Sequence, residues 1–176
     1  RRFGSNKLMY EVEGNTMYLR TLRQLQKAAA KMQNSRIVVV TQEKYAEIID
    51  AAKEIGAEVL INPQPERGIS SSMQIGLEIA KDADACLFTV SDQPWLTAET
   101  IIALHDAFQS ENKGMACTVW GEKTGNPCIF SEKYYKELMA ISGDKGGKQI
   151  IKKHPEDVAY LKISDERELQ DVDVPL

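Results

Sequence analysis

The sequence predicts an α/β domain with a largely parallel sheet. Segments of helical period alternate with short apolar runs rich in β-branched residues. Those runs are continuous rather than alternating, as in strands buried on both faces. Several of them also end in polar turns, where ligands bind in open parallel sheets.

Taken in order, residues 15–33 read as a helix, with Met17, Leu19, Leu22, Leu25 and Ala29 on roughly one side. Residues 36–41 hold an Ile-Val-Val-Val run and read as a buried strand. Residues 43–55 form a second helix stopped by Gly56, and 57–61 a strand broken by Asn62-Pro63. Residues 70–81 are a third helix with Ser70, Ser71 and Ser72 available as caps, and 85–90 the next buried strand. Thr97 caps a fourth helix, with Glu99 in its first turn. Residues 115–120 and 127–130 read as strands flanking a glycine-rich connection. Residues 133–140 and 149–154 read as helices, and 158–163 as a late strand. The pattern opens on a helix, whereas a parallel α/β sheet normally begins with a strand. A strand and part of a glycine-rich turn are therefore expected ahead of Arg1, in a single domain covering residues 1–176.

With 176 residues the chain fits one domain, and its 43% hydrophobic and 27% charged residues are ordinary for a globular protein. The net charge of −4 argues against a nucleic-acid partner, which requires a basic face. No apolar run approaches the about 18 residues of a membrane span. The three cysteines, Cys86, Cys117 and Cys128, are far apart in apolar runs and fit reduced thiols in a cytoplasmic protein. His105 and His154 have no evident Ser or Cys partner, so a hydrolase triad is unsupported.

Five segments hold the candidate chemistry. The opening Arg-Arg-Phe-Gly-Ser-Asn-Lys places cations around Gly4; Arg2 suits chelation of phosphate oxygens and Lys7 a mobile point charge, although a solvated basic tail reads the same way. Asp92, directly after the strand at 85–90, is placed either to hold Mg²⁺ or to satisfy backbone donors in an Asx turn. The loop from Asn62 and Pro63 to Gly68 ends at a helix N-terminus near Ser72, suited to a base edge, a phosphate or simple capping. Gly143, Asp144 and Gly146 belong to a glycine-rich turn with two lysines, a weak signal alone. Asp171 and Asp173 fall on one face of an extended segment, where one completes a metal site or both belong to a solvated tail.

Taken together and in order, these segments resemble the MobA-like nucleotidyltransferases, and within that group the molybdenum cofactor cytidylyltransferases. The family opens with Leu-Ala-Ala-Gly-x-Ser-x-Arg-Phe/Met-Gly-x-x-Lys, whose second half matches Arg2 to Lys7. Its Asn-Pro and Gly-x-x-x-Ser elements match Asn62-Pro63 and Gly68 to Ser72. Asp92-Gln93-Pro94 matches its Gly-Asp-Met/Gln-Pro, with Ser91 in place of the glycine. Gly125 to Pro127, Gly143 to Gly146 and Asp171 to Pro175 match three further elements, the last with Val174 for threonine. The Leu-Ala-Ala-Gly segment is absent, so CTP against GTP stays open.

The resemblance covers essentially the whole chain and implies a three-layer Rossmann-like sandwich, the nucleotide-diphospho-sugar transferase fold. It implies transfer of a nucleotide, CMP from CTP in the branch favoured, to the phosphate of a molybdopterin acceptor, with Mg²⁺ as cofactor and pyrophosphate released. Arg2, Lys7 and Asp92 become the catalytic set, and Gly4, Asn62, Pro63, Gly68 and Ser72 the nucleotide site. Asp92 and Asp173 become metal ligands, and Gly143, Asp144 and Gly146 the acceptor side. A molybdenum hydroxylase apoenzyme is the implied receiving partner. The competing readings are a GTP-using guanylyltransferase, a sugar-1-phosphate nucleotidyltransferase, a non-catalytic maturation factor for a molybdenum hydroxylase, and, least supported, a phospho-acceptor receiver domain.

Overall fold

A computed structural model describes residues 7–173. After a 3₁₀ turn at Lys7–Met9 the chain makes a small hairpin of β1 (Glu11–Val12) and β2 (Asn15–Thr16). The two loop residues between them, Glu13 and Gly14, both have positive φ, the signature of a type I′ turn. This hairpin occupies what the periodicity alone had given to the start of a helix; α1 runs from Met17 to Ala29.

The strand–helix alternation then follows the predicted order. β3 (Val38–Thr41) leads to α2 (Ala46–Glu54), β4 (Glu58–Ile61), α3 (Ile69–Ile79) and β5 (Ala85–Phe88). Then come α4 (Ala98–Glu111), β6 (Met115–Trp120) and β7 (Lys123–Ser131). A 3₁₀ turn at Glu132–Tyr134 precedes α5 (Tyr135–Met139), and α6 (Lys148–Lys153) and β8 (Val158–Lys162) close the series. Thr97 caps α4 as expected, its side chain accepting from the Thr100 N–H.

Pairing is mixed. β3 and β4 are parallel, and so are β6 and β8, but β7 runs antiparallel to both β5 and β6, in the order β5-β7-β6-β8. The segment predicted as a glycine-rich connection before residue 127 is strand. A tight turn at Gly121-Glu122 folds β7 straight back on β6, and the register shifts between Cys117 and Thr118, opposite Asn126 and Pro127. That irregularity is how a proline, which has no N–H for the ladder, sits inside a paired strand.

Alternate residues of β6 and β7 bury in two different cores, as the period of two requires. Met115, Cys117, Cys128 and Phe130 pack with Leu77 of α3, Leu138 of α5 and Ile150 of α6. Ala116 and Ile129 pack with Leu104 of α4. Helices therefore cover both faces of this sheet. A separate cluster joins Tyr18 and Leu22 of α1 to Ile48 and Ala52 of α2 over β3 and β4. The apolar runs of β3 and β5 are half-buried rather than fully buried. Each of these two strands has a hydrogen-bonded neighbour on one edge only among the described residues. The strand expected ahead of Arg1 falls outside the described residues, as do Arg2 and Gly4.

Candidate active site

Three segments distant in sequence meet at one ion cluster. The turn before β1 supplies Lys7, the loop after β5 supplies Asp92, and the C-terminal segment supplies Asp173. Lys7 Nζ donates to Asp92 Oδ2 at 2.6 Å and to Asp173 Oδ1 at 3.0 Å. Burial by itself would lower the Lys7 pKa, but the hydrogen bonds to Asp92 and Asp173 outweigh it, and the ammonium is held above its ordinary value. The second oxygen of Asp92, Oδ1, is buried with no hydrogen-bond partner among the described residues. A carboxylate oxygen left in that condition is costly unless something binds it.

Two carboxylates that share one cation at hydrogen-bond distance form the right donor set for a hard divalent ion. Such an ion takes oxygen ligands and draws its remaining ones from water and substrate phosphate. Among the described residues no group of three or more His, Cys, Asp or Glu is placed to hold a metal. The protein's contribution would thus be Asp92 and Asp173, with Lys7 free to turn toward a phosphate.

The C-terminal segment reaches this point because it is pinned along the loop after β5. Thr97 donates to Glu168 Oε2 from both its backbone N–H and its hydroxyl, at 3.1 Å each. Gln93 Nε2 donates to Asp171 Oδ1 at 2.8 Å, and the Val172 N–H donates to the Asp92 carbonyl at 2.9 Å. Val172 itself is buried with Val12 and Met17.

The remaining predicted residues fall into a second region. Asn62, following β4, is 3% exposed and its side chain is spent on structure. Its Nδ2 donates to Ser71 Oγ at 2.8 Å and Ser72 Oγ at 2.9 Å, while its Oδ1 accepts from the Gln64 N–H. Asn62 thereby shapes the loop that carries Pro63 and Gly68. Gly68 precedes α3 with φ +87°, and a Cβ there would lie 2.5 Å from the Gly143 carbonyl carbon and 2.6 Å from Asp144 Oδ1. The Ser70 N–H donates to the Gly143 carbonyl, and Gln74 Nε2 donates to the carbonyls of Met139 and Ile141. The predicted nucleotide loop and the predicted acceptor turn therefore touch. Gly146 has open space around its Cα.

Sequence reasoning missed the turn after β3. Gln42, Glu43 and Lys44 line an open groove of about 540 Å³ together with Ile61, Asn62 and Pro63. It lies beyond the carboxyl ends of β3 and β4, the standard location for a ligand in a parallel pair. The signal was available: Thr41-Gln42-Glu43-Lys44 is polar and follows the Val-Val-Val run directly. Gln74 was also missed, since a lone glutamine has no spacing signature, and Gln93 stood within the Asp92-Gln93-Pro94 match without a role of its own.

The ion cluster lies beyond the carboxyl end of β5, where open α/β sheets place their ligands. The chain belongs to the MobA-like NTP transferase domain family, whose model matches residues 1–158. It is a nucleotidyltransferase. It is 25% identical over 148 residues to a probable molybdenum cofactor guanylyltransferase of Pyrococcus horikoshii, spanning 82% of this chain and 69% of that protein. It is 34% identical over 89 residues to a bifunctional IPC transferase and DIPP synthase of Thermococcus kodakarensis, spanning 49% of this chain but only 19% of that protein. The fold matches that of Rv0371c from Mycobacterium tuberculosis with a TM-score of 0.79 at 20% identity, covering 98% of this chain and 86% of that one. A manganese complex of the same mycobacterial protein matches with a TM-score of 0.71 at 17% identity, covering 90% and 82%. No described helix is long and apolar enough to cross a membrane.

Proposed function

We propose that this nucleotidyltransferase moves a nucleotide from CTP to the terminal phosphate of a molybdopterin-type acceptor, with Mg²⁺ as cofactor. The observation that supports it most directly is the Lys7–Asp92–Asp173 cluster with its unpartnered Asp92 Oδ1. The acceptor phosphate oxygen attacks the α-phosphorus in line, and the bond to the β-phosphate oxygen breaks as pyrophosphate leaves. Little covalent work falls to the protein, so positioning and charge neutralisation supply the rate. Lys7, released from the carboxylates, offsets charge developing on the departing pyrophosphate. Arg2 would chelate the same phosphates, and the amide of Gly4 would lie against them. The metal, held by Asp92 and Asp173, would neutralise phosphate charge when bound.

The groove after β3 and β4 takes the nucleoside in this reading, with Asn62 and Pro63 in its lining, Ser72 holding the Asn62 side chain and Gly68 further along the same loop. Gly143, Asp144 and Gly146 form the acceptor side, joined to the nucleotide loop through Gly68. A molybdenum hydroxylase apoenzyme would receive the product. Cys117 and Cys128, free and buried, with thiols pushed up by burial to about 11 and about 12, suit a reducing cytoplasm.

GTP in place of CTP is the second reading, favoured by the guanylyltransferase relative. The full-length protein incubated with molybdopterin, Mg²⁺ and each of CTP, GTP, ATP and UTP decides the matter. Acceptor-dependent pyrophosphate release with CTP is expected; release with GTP alone moves the assignment to guanylyl transfer. Absence of release with every nucleotide overturns the acceptor.

A further inference from the structure

We propose that Gln93 is a positioning residue that sets the distance between the two metal-holding carboxylates by clamping Asp171. The inference rests on the reading of Asp92 and Asp173 as metal ligands. Gln93 is 2% exposed, follows Asp92 directly, and its Nε2 donates to Asp171 Oδ1 at 2.8 Å. A longer 3.5 Å contact runs from the same nitrogen to the Leu169 carbonyl. Between Asp171 and Asp173 the Val172 side chain is buried and its N–H is bonded to the Asp92 carbonyl. The chain is thus held at both of the residues that lead to Asp173. Asp173 itself is largely exposed, and among the described residues only the 3.0 Å contact to Lys7 ties its side chain down.

Packing alone does not call for glutamine at this position. Its Oε1 is buried with no hydrogen-bond partner among the described residues, a cost that an apolar side chain of the same length would avoid. What glutamine supplies, and methionine would not, is the N–H that reaches Asp171. Gln93 bonds to neither ligand side chain; it acts through Asp171 and the backbone that leads to Asp173, and support of a ligand's setting fixes its orientation and the affinity it gives. The single residue step from Asp92 to Gln93 makes the coupling direct: the backbone that aims one carboxylate also aims the clamp on the other.

Mn²⁺ binding measured by electron paramagnetic resonance on the full-length protein, without nucleotide, tests the clamp. Gln93→Met and Asp171→Ala are each expected to weaken Mn²⁺ binding about ten-fold. Asp171→Asn, whose amide oxygen still accepts from Gln93, is expected to stay close to wild type. The Gln93→Met, Asp173→Asn double variant is expected to bind no more weakly than Asp173→Asn alone, since the clamp acts only through that carboxylate. Wild-type affinity in Asp171→Ala, a change at an exposed residue, overturns the clamp, as do losses that add in the double variant. Equal Mn²⁺ affinity in wild type and Asp173→Asn overturns the metal reading itself.

Discussion

Asp92 and Asp157 are both aspartates beside a lysine, yet they do opposite work. Asp157 directly precedes β8, and both of its carboxylate oxygens are hydrogen-bonded. Its Oδ1 accepts from the Gly114 N–H at 3.0 Å, and its Oδ2 accepts from Tyr134 at 2.6 Å and Lys133 at 2.8 Å. The hydrogen bonds from Lys133, Tyr134 and Gly114 hold its pKa well below the carboxylate range. It staples the start of β6 to the turn after β7 and the entry to β8. Asp92 has one oxygen on Lys7 and the other buried without a partner among the described residues. A carboxylate with both oxygens hydrogen-bonded is satisfied by the protein itself, whereas a buried oxygen without a partner carries a desolvation cost that the proposed metal would offset.

The largest expected effect separates these roles. Asp92→Ala should lower transfer about a hundred- to a thousand-fold, about 3–4 kcal/mol, with the melting transition near wild type. Steady-state pyrophosphate release and calorimetry on the same sample check both halves, and wild-type turnover would remove Asp92 from the chemistry. Asp157→Ala should do the reverse. It should cost about 2 kcal/mol of stability by orphaning the Tyr134 hydroxyl and the Gly114 N–H, while the folded fraction transfers normally. Denaturant unfolding reads this out, and an unchanged midpoint would mean the staple is idle.

Lys7→Ala should move two quantities in opposite directions. Transfer slows because the triphosphate loses a cation, yet Mn²⁺ binds more tightly without nucleotide because the ammonium no longer competes for Asp92 and Asp173. Part-exposed ion pairs are worth up to about 1 kcal/mol, so the tightening is about five-fold at most. Looser Mn²⁺ binding would show that Lys7 supports the metal instead of standing in for it. The smallest effect is on the acid limb of stability. The folded-state pKa of Asp157 is depressed, so its contribution is complete above the ordinary carboxyl value of 3.8 and is lost as pH falls below it. Asp157→Asn should flatten stability between pH 4 and the acid end, about as much as one depressed carboxylate allows. A limb identical to wild type would assign the acid sensitivity elsewhere.

Much of the architecture was readable because its signals are local. The Val-Val-Val run marks β3, Gly56 marks the stop after α2, and Thr97 caps α4, each a property of a few consecutive residues. The β1–β2 hairpin was overlooked because strands of two residues have no period to detect, although Glu13-Gly14 was a turn signal. β7 was shortened because Gly125 and Pro127 argue against a strand unless a register shift accommodates them. At the site, Lys7, Asp92 and Asp173 stood out as polar residues in ordered motifs. The structural duty of Asn62 did not, because its partners Ser71 and Ser72 sit across a turn whose shape is tertiary.

Sequence alone determined most of the helices and longer strands, which family they belong to, and which ionisable residues are candidates, since periodicity, turn chemistry and motif order are written along the chain. Only the tertiary structure decided that β7 reverses direction within the sheet, that Gly68 rests against Gly143, and that Asp173 comes back to Lys7 and Asp92 under the hold of Gln93. Those facts depend on contacts between segments many residues apart, whose free energy comes from burial and hydrogen bonds that exist only once the chain has closed on itself.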